Sequence, residues 1–119
     1  MVETDQPGRK FRKELNAGIA SLVLLSLLDQ STEPMYGYQI AKLLDEYSGE
    51  MAFMKQGALY PVLHSLEGSG LLESRVEPSV SGPPRRYYEI TETGRAVLAE
   101  WRETWMQMRS FVDRTIRGG

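Results

Sequence analysis

The sequence predicts a mainly α protein with a small β-hairpin, arranged as a winged helix-turn-helix that carries one further C-terminal helix. Three observations predict it. Apolar residues recur at helical spacing in three successive stretches, two short stretches of alternating apolar residues follow, and a long final stretch carries its apolar residues in a single stripe. The 119 residues suit one domain, and 41% hydrophobic with 25% charged residues is the balance of a soluble globular chain.

Residues 1–8 are polar, include Pro7 and Gly8, and show no apolar period, so they are expected to form a mobile arm. The winged helix-turn-helix domain is expected over residues 9–91. From Phe11 to Asp29 the residues Leu15, Ile19, Leu22, Val23 and Leu25 predict a helix with a wide buried stripe. The apolar run Ile19 to Leu28, closed by Asp29, is too short to cross roughly 30 Å of hydrocarbon. It also lies too far behind Arg9, Lys10, Arg12 and Lys13 to read as a signal peptide, so no membrane partner is expected. With no cysteine in the chain, the expected compartment is the cytoplasm.

A second helix is predicted from about Tyr36 to Tyr47, with Tyr36, Ile40, Leu43, Leu44 and Tyr47 on one face and Gly49 as its stop. A third, about Gln56 to Glu67, turns Leu59, Val62, Leu63 and Leu66 inward. Pro61 lacks an N–H and crowds the preceding turn, which predicts a late start for this helix. Met51, Phe53 and Met54, just ahead of it, read as core residues. Leu71–Glu77 and Arg85–Thr91 predict antiparallel strands, and the Pro-, Ser- and Gly-rich residues 78–84 read as a flexible tip too long for a two-residue turn.

The last helix is predicted over residues 92–117 with Thr91 as its N-cap. Leu98, Trp101, Trp105, Met108 and Val112 form a heptad-like seam along it. Three short helices and a hairpin cannot cover so long a helix, so the seam is expected to join two copies into a homodimer.

In this fold the third helix fits the roughly 12 Å wide major groove of double-stranded DNA and the hairpin reaches the flanking backbone. Donors stand at both places. Gln56 suits an adenine edge, Tyr60 and His64 suit phosphates or base edges, Lys55 suits a phosphate, and Gly57 and Ala58 permit close approach. On the hairpin, one of Arg85 and Arg86 is expected on phosphate and the other on an acid such as Glu77, because neighbouring strand residues face opposite ways. The net charge of −2 conceals an uneven distribution, with four bases between residues 9 and 13 and five acids against Lys42 alone between residues 29 and 50.

The residues for catalysis are missing. There is one histidine, no cysteine, no Gly-rich phosphate loop and no paired-histidine zinc motif, and Asp45 and Glu46 are helical neighbours that face apart. The expectation is a protein that is not an enzyme and needs no cofactor or metal.

Three runs carry a resemblance: Tyr36-Gly37-Tyr38-Gln39-Ile40, then Gly57-Ala58-Leu59-Tyr60-Pro61-Val62-Leu63 with Gly70-Leu71-Leu72, and Arg85-Arg86-Tyr87-Tyr88-Glu89-Ile90-Thr91-Glu92-Thr93-Gly94. Over about residues 15–95 the chain resembles the PadR family of transcriptional regulators, in its compact branch with one short C-terminal helix. The resemblance implies a homodimer, usually a repressor, on a palindromic operator, released by a small effector. It also adds Tyr38 to the DNA contacts. By the same resemblance Trp101 or Trp105, with Met108, is either a site for a flat aromatic effector or simple interface packing. Lys55-Gln56-Gly57-Ala58 departs from the family's usual acidic residue before the glycine and hydroxyl residue after it, so base preference does not transfer. The rival reading is a winged-helix interaction module without DNA binding, to which the acidic pI of about 5.5 points.

Overall fold

The computed structural model describes residues 2–118, with side chains from residue 6 onward. Four helices, α1 (Val2–Gln30), α2 (Gly37–Ser48), α3 (Gln56–Gly68) and α4 (Glu92–Arg117), surround three strands, β1 (Met35–Tyr36), β2 (Leu72–Ser79) and β3 (Gly82–Ile90). The sheet is antiparallel in the order β1-β3-β2. This is the predicted winged arrangement, with helix borders within one or two residues of expectation except at the N-terminus.

There α1 begins at Val2, so the residues expected as an arm are helical from that point, and Pro7 lies inside the helix. An established helix extends at the cost of one residue per hydrogen bond gained, and a polar extension carries no apolar period to reveal it. Residues 6–15 are exposed throughout.

The core is built from one side of each element. Leu24, Leu25 and Leu28 of α1 meet Ile40 and Leu44 of α2, Leu59, Leu63 and Leu66 of α3, Leu72, Tyr88 and Ile90 of the sheet, and Leu98 of α4. Burial holds the Tyr88 phenol above its ordinary pKa. The stripe expected to be buried on α1 is a different one. Of those residues Leu25 is buried, whereas Ile19, Leu22 and Val23 are half-covered and Leu15 is exposed. Apolar all round over its second half, α1 presents its other side to α4.

β1 escaped prediction because two residues cannot show an alternation. It pairs Met35 with Tyr88 and Tyr36 with Tyr87, which ties the start of α2 to the wing. The wing differs from expectation too. The strands run on to Ser79 and Gly82, which pair across the two-residue turn Val80-Ser81, so the flexible tip of residues 78–84 is replaced by a near-complete hairpin. Proline is tolerated there because β2 is an edge strand whose register slips at Pro78, and because β1 ends before reaching Pro83 and Pro84. Gly82, at φ 152°, closes the turn.

Pro61 also departs from expectation, since α3 starts five residues ahead of it at Gln56. The missing N–H leaves the Gly57 carbonyl without its helical donor, on an exposed first turn that water can reach. Phe53 is buried as expected and Met54 is half-buried, but Met51, expected in the core, is exposed at the end of a short 3₁₀ turn over Gly49–Met51. The α2–α3 link is pinned from two sides, with Asn16 Nδ2 donating to the Phe53 carbonyl at 2.9 Å and the Phe53 N–H donating to Ser48 Oγ at 3.3 Å.

α4 leaves the sheet through a tight junction. Thr91 is its N-cap, as predicted, with Oγ1 accepting from the Gly94 N–H at 2.9 Å and donating to the Gly70 carbonyl at 2.8 Å. Asp29 at the end of α1 meets Arg95 at 3.5 Å and Arg102 at 3.3 Å, setting α4 against α1. Among the described residues no helix is long and apolar enough to cross a membrane. A Cβ on Gly94 would lie 2.7 Å from Ile90 Cγ1 and 2.2 Å from the Leu71 carbonyl oxygen, a backbone atom that cannot move without opening the junction. Gly94→Ala is therefore expected to lower stability by about 3 kcal/mol, measured by equilibrium chemical denaturation.

Candidate nucleic-acid interface

The candidate recognition surface is assembled where α3 begins. Lys55 is the N-cap residue in extended conformation, and Gln56, Gly57, Ala58, Tyr60 and His64 follow along the exposed side of α3, while Leu59, Leu63 and Leu66 anchor the opposite side. Tyr38, exposed in the first turn of α2, shares a concavity of about 460 Å³ with Lys55 and Gln56. The structure thus brings the two helix starts together on one face.

Two of the sequence runs meet here at the surface as well as in the core. Gln56 Nε2 donates to Tyr60 Oη at 3.3 Å, and the Tyr60 ring lies over Gly37, where an added Cβ would come within 2.5 Å of the hydroxyl. Glycine leaves that space without displacing the ring, which accounts for a glycine between Tyr36 and Tyr38. Tyr60 is exposed on α3, and its ring reaches Gly37 at the start of α2.

The wing arginines point to opposite faces of β3, as their adjacency requires. The Arg85 guanidinium stacks over the Tyr36 ring, 4.5 Å from its centroid, and Tyr36 in turn packs edge-on against Tyr87 at 5.3 Å. Arg86 donates from Nη1 to Ser74 Oγ at 3.0 Å, and Ser74 donates to Glu67 Oε2 at 2.7 Å, so a polar relay joins the wing to the last turn of α3. The acid expected to be bridged by one of this pair, Glu77, is instead taken by Arg75, which also reaches Glu89. Arg85 does lie opposite Glu77 in the strand register, but Arg75 shares its face and strand with Glu77 and occupies the carboxylate. Arg75 was not singled out from the sequence, because the ladder that pairs it with Tyr87 depends on the register of the hairpin.

The seam residues divide. Leu98 is fully buried in the chain's own core and Trp101 packs half-buried beside it, whereas Trp105 (38% exposed), Met108 and Val112 face outward. Every described residue of α4 after Trp101 is exposed except the half-buried Asp113. Phe11 (65%), Phe111 (56%) and Ile116 (74%) add to the bare apolar surface. Trp101, Trp105 and Met108 line a cleft of about 480 Å³ against Leu15, Ile19 and Leu22 of α1.

The profile of the transcriptional regulator PadR-like family matches residues 24–100, more than half of the chain. The chain belongs to the PadR-like family of transcriptional regulators. It is similar along its whole length to the crystal structure of a PadR family transcriptional regulator from Eggerthella lenta, with 29% identity, 100% of each chain covered and a TM-score of 0.84. A PadR-like transcriptional regulator from Bacillus cereus superposes with a TM-score of 0.71 at 27% identity, covering 89% of this chain and 99% of that one. In sequence, a transcriptional regulator of Mycobacterium tuberculosis is 45% identical over 60 residues, 50% of this chain and 55% of that protein.

Because Tyr60 is 43% exposed, its ring can swing outward to admit a methyl group at Gly37. Gly37→Ala is thus expected to cost only about 1 kcal/mol, well below Gly94→Ala, since a mobile ring yields where a backbone carbonyl cannot. Denaturation of the two variants side by side checks the order.

Proposed function

We propose that this regulator is a sequence-specific DNA-binding repressor that acts as a homodimer on a palindromic operator and is released by a small effector. The observation that carries the proposal is the convergence of exposed donors on one face, with Tyr38, Lys55 and Gln56 around one concavity and Tyr60 bonded to Gln56. The bond to Tyr60 orients the Gln56 amide, leaving its oxygen and second N–H for an adenine edge. Gly57 and Ala58 keep the first turn slim, Lys55, Tyr38 and Arg86 serve phosphates, and His64 stands one turn further along α3. Arg85 stiffens the wing from its seat on Tyr36.

The exposed apolar face that runs from Phe11 and Leu15 to Trp105, Phe111 and Ile116 supports the dimer, since monomeric domains rarely leave such a surface bare. A two-fold arrangement would present two α3 helices to a palindrome. The Trp101–Trp105 cleft opens on this same face, which supports a flat aromatic effector held at the dimer seam. Residues 9–91 then act as the DNA-binding unit and 92–117 as the dimerisation helix, although Leu98 and Trp101 also serve the core of their own chain.

Fluorescence anisotropy against the chain's own upstream DNA and a scrambled duplex, over a range of salt, tests the DNA reading. Tight, salt-steep binding to the first duplex alone is expected, with Arg86→Ala lowering the slope of log affinity against log salt by about one. Equal and negligible binding to both duplexes favours the interaction module instead. For the dimer, Phe111→Glu is expected to convert the dimer to monomers in sedimentation equilibrium, because a carboxylate would be buried at the seam without a partner.

A further inference from the structure

A second cavity, of about 730 Å³, lies between the start of α1 and the N-terminus of α3 and is separate from the tryptophan cleft. Its floor is aliphatic, formed by Ala17, Ala20, Met54, Ala58 and Val62. Its rim carries Arg9, Arg12, Lys13 and Lys55, and among the described residues no acidic side chain lines it. Among the described residues Arg12, Lys13 and Lys55 enter no ion pair. The positive end of α3 adds to the same field, as Lys55 caps that helix without a side-chain hydrogen bond to its N–H groups.

We propose that this cavity binds an aliphatic carboxylate and that its occupation opposes DNA binding. Each half of such a ligand has a counterpart. The carboxylate would sit among the rim cations at the start of α3, and the alkyl chain would displace water from the floor. A bare phosphate would leave that floor wet. An aromatic acid is less well matched, because Phe53, the cavity's one ring, is almost wholly buried and offers no face for stacking.

The site stays open in the proposed dimer. At 3.6 residues per turn, Lys13, Asn16, Ala17 and Ala20 lie on the opposite side of α1 from Phe11, Leu15 and Leu22, which belong to the seam. The antagonism rests on the regulator reading above, and it follows from shared residues. Lys55 and Ala58 belong both to this cavity and to the DNA face, so a bound carboxylate takes the cation and crowds the turn that the duplex needs. By linkage, DNA and ligand then weaken one another equally.

The probe is decanoate, kept below its micelle-forming concentration, with decanol as its neutral twin. Calorimetry on the DNA-free full chain is expected to give saturable decanoate binding, weakened about tenfold for decanol, the order of one charge-assisted contact. Ala17→Trp, which fills the floor, is expected to abolish the binding while leaving anisotropy with DNA as in the native chain. Should Ala17→Trp fail to fold by circular dichroism, the exposed-site variant Lys13→Glu is expected to weaken decanoate about tenfold in its place. No saturable uptake by the native chain, or undiminished uptake by a folded Ala17→Trp, overturns the site. If decanoate binds the native chain and not the variant but no duplex is bound, the site stands and the regulator reading falls. If both are bound and decanoate leaves DNA affinity unchanged, the antagonism falls.

Discussion

The geometry of this molecule depends on one backbone carbonyl, that of Leu71. Its own N–H donates to the Leu66 carbonyl at 3.0 Å, closing the end of α3, and its oxygen accepts from the Thr91 N–H at 3.1 Å, closing the base of the hairpin. Gly94 presses on the same oxygen from the first turn of α4. α3, the wing beside it and α4 are thereby referred to a single point. Thr91 braces it from the other side through Gly70. Few hydrogen bonds are involved, but each closes a different element, so loss of one would free two elements from each other.

From that point α1 and α4 divide their apolar residues between the core and the exposed surface. The second half of α1 is apolar around its whole circumference, more than a single small domain can cover. One side, with Leu24, Leu25 and Leu28, is spent on the core, and the other is left half-covered beside Trp101 and Trp105. Asp29 holds α4 to this second side through Arg95 and Arg102. Exposed ion pairs of this kind add little stability, and their contribution here is angular: they fix the direction in which the bare part of α4 points.

Most of the fold was legible in the sequence because its signals are local. Thr91 with Gly94, Gly49 after α2 and the inward leucines of α3 each announce their role through a spacing that backbone geometry enforces. What escaped depends on pairing or on solvent. β1 exists only because β3 lies beside it, the strand character of residues 82–84 depends on β2 across the turn, and residues 6–15 of α1 have no buried face to betray them. The candidate interface divides along the same line. Exposure of Gln56 and His64 follows from helical period alone, whereas the seat of Tyr60 on Gly37, of Arg85 on Tyr36 and of Arg86 on Ser74 joins residues far apart in the chain. The exchange of Glu77 from the wing arginines to Arg75 has the same origin, since it turns on which residues share a face of the finished hairpin.

The acidic total charge loses its force as an argument against nucleic acid once the charges are placed in space. Asp45 lies beside Lys42 at the edge of the Tyr38 concavity, but Asp29 is engaged with α4 and Glu67 with the wing relay. The basic start of α1, distant from Lys55 in sequence, is folded next to it around one cavity. Four cations, Arg9, Arg12, Lys13 and Lys55, are thereby gathered around one cavity at the first turn of α3, and a polyanion responds to the charges it meets within about 10 Å at ordinary salt, not to the sum. The same concentration explains why an apolar floor beneath those cations matters. It gives the site a second requirement that a phosphate backbone cannot meet, and so makes discrimination between a duplex and an amphipathic acid a question of shape as well as charge.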